Sequence, residues 1–239
     1  MTRQVTERTA IVTGGSRGYG RAVAARLCSD GWVVVMDGRE REPLEVAARA
    51  IGAVAVPGDV TDAGHRRRLI GEALRRTGRL DALINNAGAL GPSPLPAVAD
   101  LRPPELRALF EANVVAPLAL AQESLPHLRA SGGAVVNVTS DAAMEPYPGW
   151  GGYGATKAAL EQLSAVLAEE VGEAVRVWWL DPGDMRTDMH QRAYPGQDIS
   201  DRPHPEQAAP AVGTLLATRP ASGRYRAADL LTAPSGARR

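Results

Sequence analysis

Thr13-Gly14-Gly15-Ser16-Arg17-Gly18-Tyr19-Gly20 separates a short β-rich run at 9–12 from a helical pattern at 21–29, where Ala22, Ala25 and Cys28 recur at helical spacing. Glycines between a strand and a helix permit a tight turn and let the backbone approach a ligand closely. The helix N-terminus that follows offers unpaired amide donors and the positive end of the peptide dipole, a setting suited to pyrophosphate. Glycine-rich turns also occur without a ligand, so the weight of this one depends on its surroundings.

Outward from that loop, short apolar runs alternate with longer helical patterns. Strands are expected at 32–36, 53–56, 80–84, 134–138, 175–180 and 223–227. Helices are expected at 43–51, 63–77, 104–128 (bent at Pro117), 155–170 and 205–217. Such alternation signals βαβ units. The fold class is therefore α/β, a doubly wound parallel sheet of about seven strands with helices on both faces. There is no internal repeat or linker, so 1–239 is read as a single domain. The long non-periodic stretches at 88–103 and 184–202 are candidate functional loops.

Composition narrows the function. The 239 residues are 44% hydrophobic, which suits a globular core, and 27 basic residues cancel 27 acidic ones. No global basic field draws the chain to nucleic acid or an anionic membrane. The single cysteine, Cys28, excludes an intramolecular disulfide and a multi-cysteine metal site, and no metal is expected. The start lacks the apolar stretch of a signal peptide, and no window reaches a membrane span of ~20 apolar residues. A cytoplasmic protein is expected. Of the 27 basic residues, 26 are Arg and one is Lys157; the four asparagines are Asn85, Asn86, Asn113 and Asn137.

That lone lysine belongs to Tyr153-Gly154-Ala155-Thr156-Lys157. On a helix, residues four apart share a face. A phenol titrates near ~10, and a neighbouring ammonium lowers that value, which suits general acid–base work. A surface Tyr–Lys pair is the plainer alternative, but an indifferent position in this chain would hold Arg. Ser140 lies thirteen positions before Tyr153, at a strand end. Ligands of open parallel sheets sit beyond the carboxyl ends of the strands, where Gly14, Asn86, Ser140 and Pro182-Gly183 all fall.

With Asp59-Val60, Asn86-Ala87-Gly88, Asn113 and Thr187 added, the chain resembles the short-chain dehydrogenase/reductase family in its single-domain, Rossmann-fold form, over nearly its whole length. The resemblance implies a nicotinamide-dependent oxidoreductase. Tyr153 would exchange a proton with the carbonyl or alcohol oxygen. Lys157 would hold the nicotinamide ribose and depress the phenol pKa, Ser140 would position the reacting oxygen, and Asn113 would hold a water that relays protons. Gly14, Ser16, Arg17, Gly18, Tyr19 and Gly20 would cradle the cofactor. Asp59 and Val60 would flank its adenine, and Asn86, Ala87 and Gly88 the adenine ribose. Pro182, Gly183 and Thr187 would lie by the carboxamide.

Cofactor choice is read at Val35-Met36-Asp37-Gly38-Arg39. With Gly38 at the position that reads the ribose, Arg39 and Arg17 would clamp a 2′-phosphate, favouring NADP(H). A register shifted by one gives the ribose to Asp37 and leaves NAD(H) open. The substrate side would use Tyr147, Trp150, Asp184, Met185 and Tyr194 on a small carbonyl or alcohol. Reduction of a ketone or aldehyde is the first reading. NAD-dependent alcohol oxidation, non-redox acid–base chemistry and a cofactor-binding scaffold are the alternatives. Family resemblance implies a homotetramer or homodimer built on the two long helices, with the short end after Leu231 reducing one contact. Tyr19 and Asp184 depart from the family's usual apolar residues. His65-Arg66-Arg67-Arg68 reads as a solvated helix face and His190 as a surface histidine, while Trp178, Trp179 and Cys28 read as packing residues.

Overall fold

A computed structural model describes residues 7–232. The expectations for the chain's start and for the tail past 232 lie outside the described residues. Seven strands form one parallel sheet in the order β3-β2-β1-β4-β5-β6-β7. They are β1 Thr9–Val12, β2 Val33–Gly38, β3 Val54–Pro57, β4 Ala82–Asn85, β5 Ala134–Val138, β6 Arg176–Asp181 and β7 Gly223–Arg226. The helices are α1 Gly18–Ser29, α2 Arg41–Ile51, α3 Ala63–Thr77, α4 Pro103–Phe110, α5 Ala116–Ser131, α6 Gly151–Val171, α7 Asp188–Ala193, α8 Pro205–Ala208, α9 Pro210–Thr218 and α10 Ala227–Thr232.

Both sheet faces are covered, which is why the central strands read as continuous apolar runs. Successive side chains point to opposite faces. Val34 and Met36 join one core cluster with α1, α2 and α9, while Val35 joins the other with residues of α3, α5 and α6. Trp178 is fully buried, as expected of a packing residue. The strand order reverses direction between β1 and β4. Ligands of such sheets bind at that switch point, and the glycine loop after β1 and the Asn86 turn after β4 meet there.

Several elements differ from the sequence reading. The helix expected over 104–128 is broken by a π-helical turn, Glu111–Val115, just before Pro117. The helix expected from 155 begins at Gly151, so Tyr153 and Lys157 share it. The helix expected over 205–217 divides at Pro210, and α7 and α10 form where no helix was expected.

Candidate active site

The glycine loop is held from beneath. Gly14 carries a φ of +69°, and a Cβ there would stand 2.9 Å from Asn86 Nδ2; a Cβ on Gly20 would stand 2.4 Å from Gly14 O. Only glycine permits that approach. Asn86 Nδ2 donates to Thr13 O at 2.8 Å, and the Thr13 hydroxyl accepts from the amides of Asn86 and Ala87. Asn86 therefore braces the loop with its side chain. Thr13, which opens the motif but has no role assigned from sequence, ties the two turns together. No side chain caps the start of α1 at Arg17. Its first-turn amides are left for a ligand, and the loop fits a dinucleotide pyrophosphate.

Asp37 lies at the floor of the cleft beside Gly38. It is 1% exposed. Its Oδ1 accepts from Gly14 N at 2.7 Å and its Oδ2 pairs with His65 Nε2 at 2.9 Å. Both carboxylate oxygens of the residue that the shifted register gives to the ribose are thus engaged by neighbours. Burial nonetheless pushes the Asp37 carboxyl up, against the bonds from His65 and Gly14. The solvated-face reading of 65–68 also fails in part: His65 is fully buried, and Arg66 binds Glu123 and the carbonyls of Val60 and Thr61. Gly58 makes room, since a Cβ there would stand 2.2 Å from the His65 ring.

Gly38 and the exposed Arg39 line the cleft near Asp59 and Val60. Burial tends to raise the Asp59 carboxyl. Bonds from Thr61, helped by Arg39 and His65, hold it below its ordinary value. Arg17 departs from the simple clamp, since it already reaches Glu40 at 3.1 Å and Asp188 at 3.6 Å.

The cleft, about 560 Å³, continues past Gly88 to Ser140, Tyr153, Lys157, Pro182 and Gly183. Lys157 is 4% exposed. Its Nζ donates to Val138 O at 2.8 Å and lies 5.5 Å from the Tyr153 ring centroid. Burial depresses the ammonium to about 8, with Glu161 opposing. The expected depression of the Tyr153 phenol is not seen. Burial, then Asp181 and Asp141, push it well up, and the ammonium 5.5 Å from its ring does not offset them. The Ser140 hydroxyl donates to Asp141 Oδ1 and accepts from Ala142 N.

Asn113 lies in the π-helical turn, fully buried. Its amide bonds the backbone of Ala89 and the Thr156 hydroxyl, fixing the loop after β4 against α6. Among the described residues the Asn113 side chain makes its bonds to Ala89 and Thr156 and none to Lys157. Tyr19 turns into the core, 5% exposed, where its hydroxyl has no partner among the described residues.

On the substrate side, Trp150, Asp184, Met185 and His190 line the cleft. Trp150 packs edge-on to Tyr153 at 5.6 Å and against Tyr194 at 6.1 Å. Tyr147 stays exposed and donates to Asp141. Asp184 pairs with Arg202 at 3.5 Å. His190 is buried, contrary to the surface reading, and burial lowers its pKa. Thr187 caps α7 through His190 N, and its Cγ2 lies 3.6 Å from where a Cβ on Gly18 would stand, so the two loops face each other.

Known proteins share this architecture. The family model for short chain dehydrogenases matches residues 8–198. Serine 3-dehydrogenase of Agrobacterium fabrum is 36% identical over 76% of this chain and 73% of its own length. In eight curated relatives, the matched segments span 63 to 77% of their lengths. A short chain dehydrogenase of Shigella flexneri, solved with NADP, superimposes with a TM-score of 0.85 at 28% identity, covering 95% of this chain and all of that one. A 3-ketoacyl-(acyl-carrier-protein) reductase of Brucella melitensis, solved with NADH, gives 0.83 at 26% identity, covering 92% and 96%. No described helix is long and apolar enough to cross a membrane. The glycine loop at the switch point, the Tyr153–Lys157 helix beside Ser140 and the match over 8–198 agree: this chain belongs to the short-chain dehydrogenase/reductase family and is an NAD(P)-dependent oxidoreductase.

Proposed function

We propose that this protein reduces a ketone or aldehyde of a small organic molecule with NADPH, Tyr153 donating the proton. The observation that carries the reading is the placement of Tyr153 and the only lysine on one face of α6, both lining the cleft that also receives Ser140 and the glycine loop. A phenol whose pKa burial raises stays protonated through neutral pH, as a proton donor to a carbonyl oxygen must. When bound, the nicotinamide supplies the hydride. Lys157 would hold the nicotinamide ribose. Ser140 would turn its hydroxyl from Asp141 toward the reacting oxygen. Trp150 would bound an apolar substrate. Asn113 would keep the loop after β4 and α6 in register.

Two observations support NADPH. The Asp37 carboxylate is already bonded to Gly14 N and His65, and Gly38 brings no carboxylate to the ribose, where Arg39 supplies a basic group. A second reading, NAD-dependent alcohol oxidation, is favoured by the Glu40 and Asp188 carboxylates that already hold Arg17. Quenching of tryptophan fluorescence by NADPH and NADH separates the two. Tighter NADPH binding that reverses in Arg39→Glu supports the first, and tighter NADH binding in the native protein supports the second. Tyr153→Phe tests the chemistry: it should bind cofactor normally and lose ~10³-fold or more in turnover, within the range of general acid catalysis. Function retained in that variant would point to a scaffold or to other chemistry. The long helices α5 and α6 would form a homodimer or homotetramer interface, with Val115, Leu163 and Val166 exposed on or beside them.

A further inference from the structure

Arg224 lies on β7, at the edge of the sheet, and its guanidinium reaches three segments behind the cleft floor. Nε donates to Glu161 Oε1 at 3.1 Å; Nη2 donates to Asp181 Oδ2 at 3.2 Å and to the Ser140 carbonyl at 3.3 Å. Glu161 stands one helical turn after Lys157 and also accepts from the Thr139 hydroxyl at 2.7 Å. Asp181 ends β6 and accepts from Gly183 N at 2.9 Å. The side chains of Arg224, Glu161 and Asp181 are 22%, 14% and 5% exposed, so solvent screens them weakly. One fork thus joins the ends of β5 and β6 to α6, each of which carries part of the candidate site.

We propose that Arg224 is a positioning residue for the reaction. Its guanidinium fixes Ser140 and the Asp181-Pro182-Gly183 turn against the helix that carries Tyr153 and Lys157, and its charge offsets the two carboxylates behind them. The proposal rests on the reading that Ser140, Tyr153 and Lys157 do the chemistry. The charged and titratable groups around that pair are Glu161 on α6, Asp181 on β6, Asp141 in the turn after β5, Arg224 on β7, Tyr19 on α1 and His190 on α7. Asp181 raises the phenol and Glu161 raises the ammonium. Without Arg224 both would keep their protons to higher pH. A lysine at 224 would keep the charge, but its single ammonium does not reproduce a planar fork shared among three acceptors.

Because Lys157 is the only lysine, protein labelled with ¹³Cε-lysine gives one side-chain signal, and its titration needs no substrate. That titration is run on the native protein, Arg224→Met and Arg224→Lys. NADPH affinity and NADPH-dependent turnover of a panel of small ketones and aldehydes are measured alongside, with Tyr153→Phe as control. Arg224→Met should raise the Lys157 midpoint by about half to one pH unit. It should cut turnover ~10- to 100-fold while NADPH binding stays within ~3-fold. Arg224→Lys should restore the midpoint but not the turnover. A folded Arg224→Met that keeps midpoint and turnover, with only a lower melting temperature, overturns the proposal. If Arg224→Met does not fold, Arg224→Lys decides: native turnover there overturns it and impaired turnover supports it. Turnover retained in Tyr153→Phe refutes the proposed function instead; there, and where the native protein turns over none of the panel, the Lys157 midpoint judges Arg224 alone.

Discussion

Replacing Lys157 with methionine should stabilise the protein while abolishing its chemistry. Burial takes this ammonium from 10.5 to about 8. At ~1.4 kcal/mol per pH unit, that is a penalty of roughly 3 kcal/mol for holding the charge inside. Methionine has similar length and no charge, but it strands the Val138 carbonyl that Nζ reaches at 2.8 Å, a loss of ~1 kcal/mol. The net gain is roughly 2 kcal/mol, and at ~2–4 °C per kcal/mol for a domain of this size the melting temperature should rise by about 6 °C at pH 7. The pH dependence identifies the cause. The folded pKa lies below the unfolded one, so between about 8 and 10.5 the unfolded chain binds more protons. Native stability therefore rises with pH across that window. The full penalty applies below 8 and is gone above 10.5, so the advantage of Lys157→Met should shrink and then reverse, leaving only the ~1 kcal/mol lost at the Val138 carbonyl. Urea unfolding of both proteins at intervals from pH 7 to pH 10.5 measures this. A variant less stable than the native protein at pH 7, or a gap that ignores pH, would refute the account.

Three further outcomes follow from the same geometry. His65→Leu leaves Asp37 with the Gly14 amide as its remaining bond and a buried charge without its partner, so it should cost ~3 kcal/mol in urea unfolding; NADPH should also bind more weakly in a fluorescence titration. Gly20→Ala sets a Cβ against Gly14 O and Asn86 Nδ2, at 2.4 and 2.3 Å before relaxation. It should displace the loop and weaken binding of NADPH and NADH alike, by ~10-fold or more, as isothermal calorimetry would register. Reduction at saturating cofactor should fall as pH passes about 8, because Lys157 loses the charge that faces the Tyr153 ring; the limb should vanish in whatever residual rate Lys157→Met retains.

The parts of this protein legible from sequence are those set by local periodicity and by glycine. The parallel sheet followed from short apolar runs alternating with helical patterns, and the loop at 13–20 announced itself because only glycine tolerates such close approach. Lys157 stood out for another reason: in a chain with 26 arginines, a lone lysine marks a place where Arg does not serve. The same bias hid Arg224. An arginine on a short edge strand gives no signal here, although its guanidinium spans Ser140, Asp181 and Glu161. His65 was misread because it precedes three arginines, while its burial depends on Gly58 across a turn and on Asp37 in a neighbouring strand. The phenol of Tyr153 was misjudged because an i, i+4 ammonium is visible in sequence, whereas the desolvation that outweighs it arises only when β5, β6 and α6 close around the ring. Contacts within one turn of chain can be read from spacing. The pairs His65–Asp37 and Arg224–Ser140 join residues 28 and 84 positions apart, and only the folded chain brings them together.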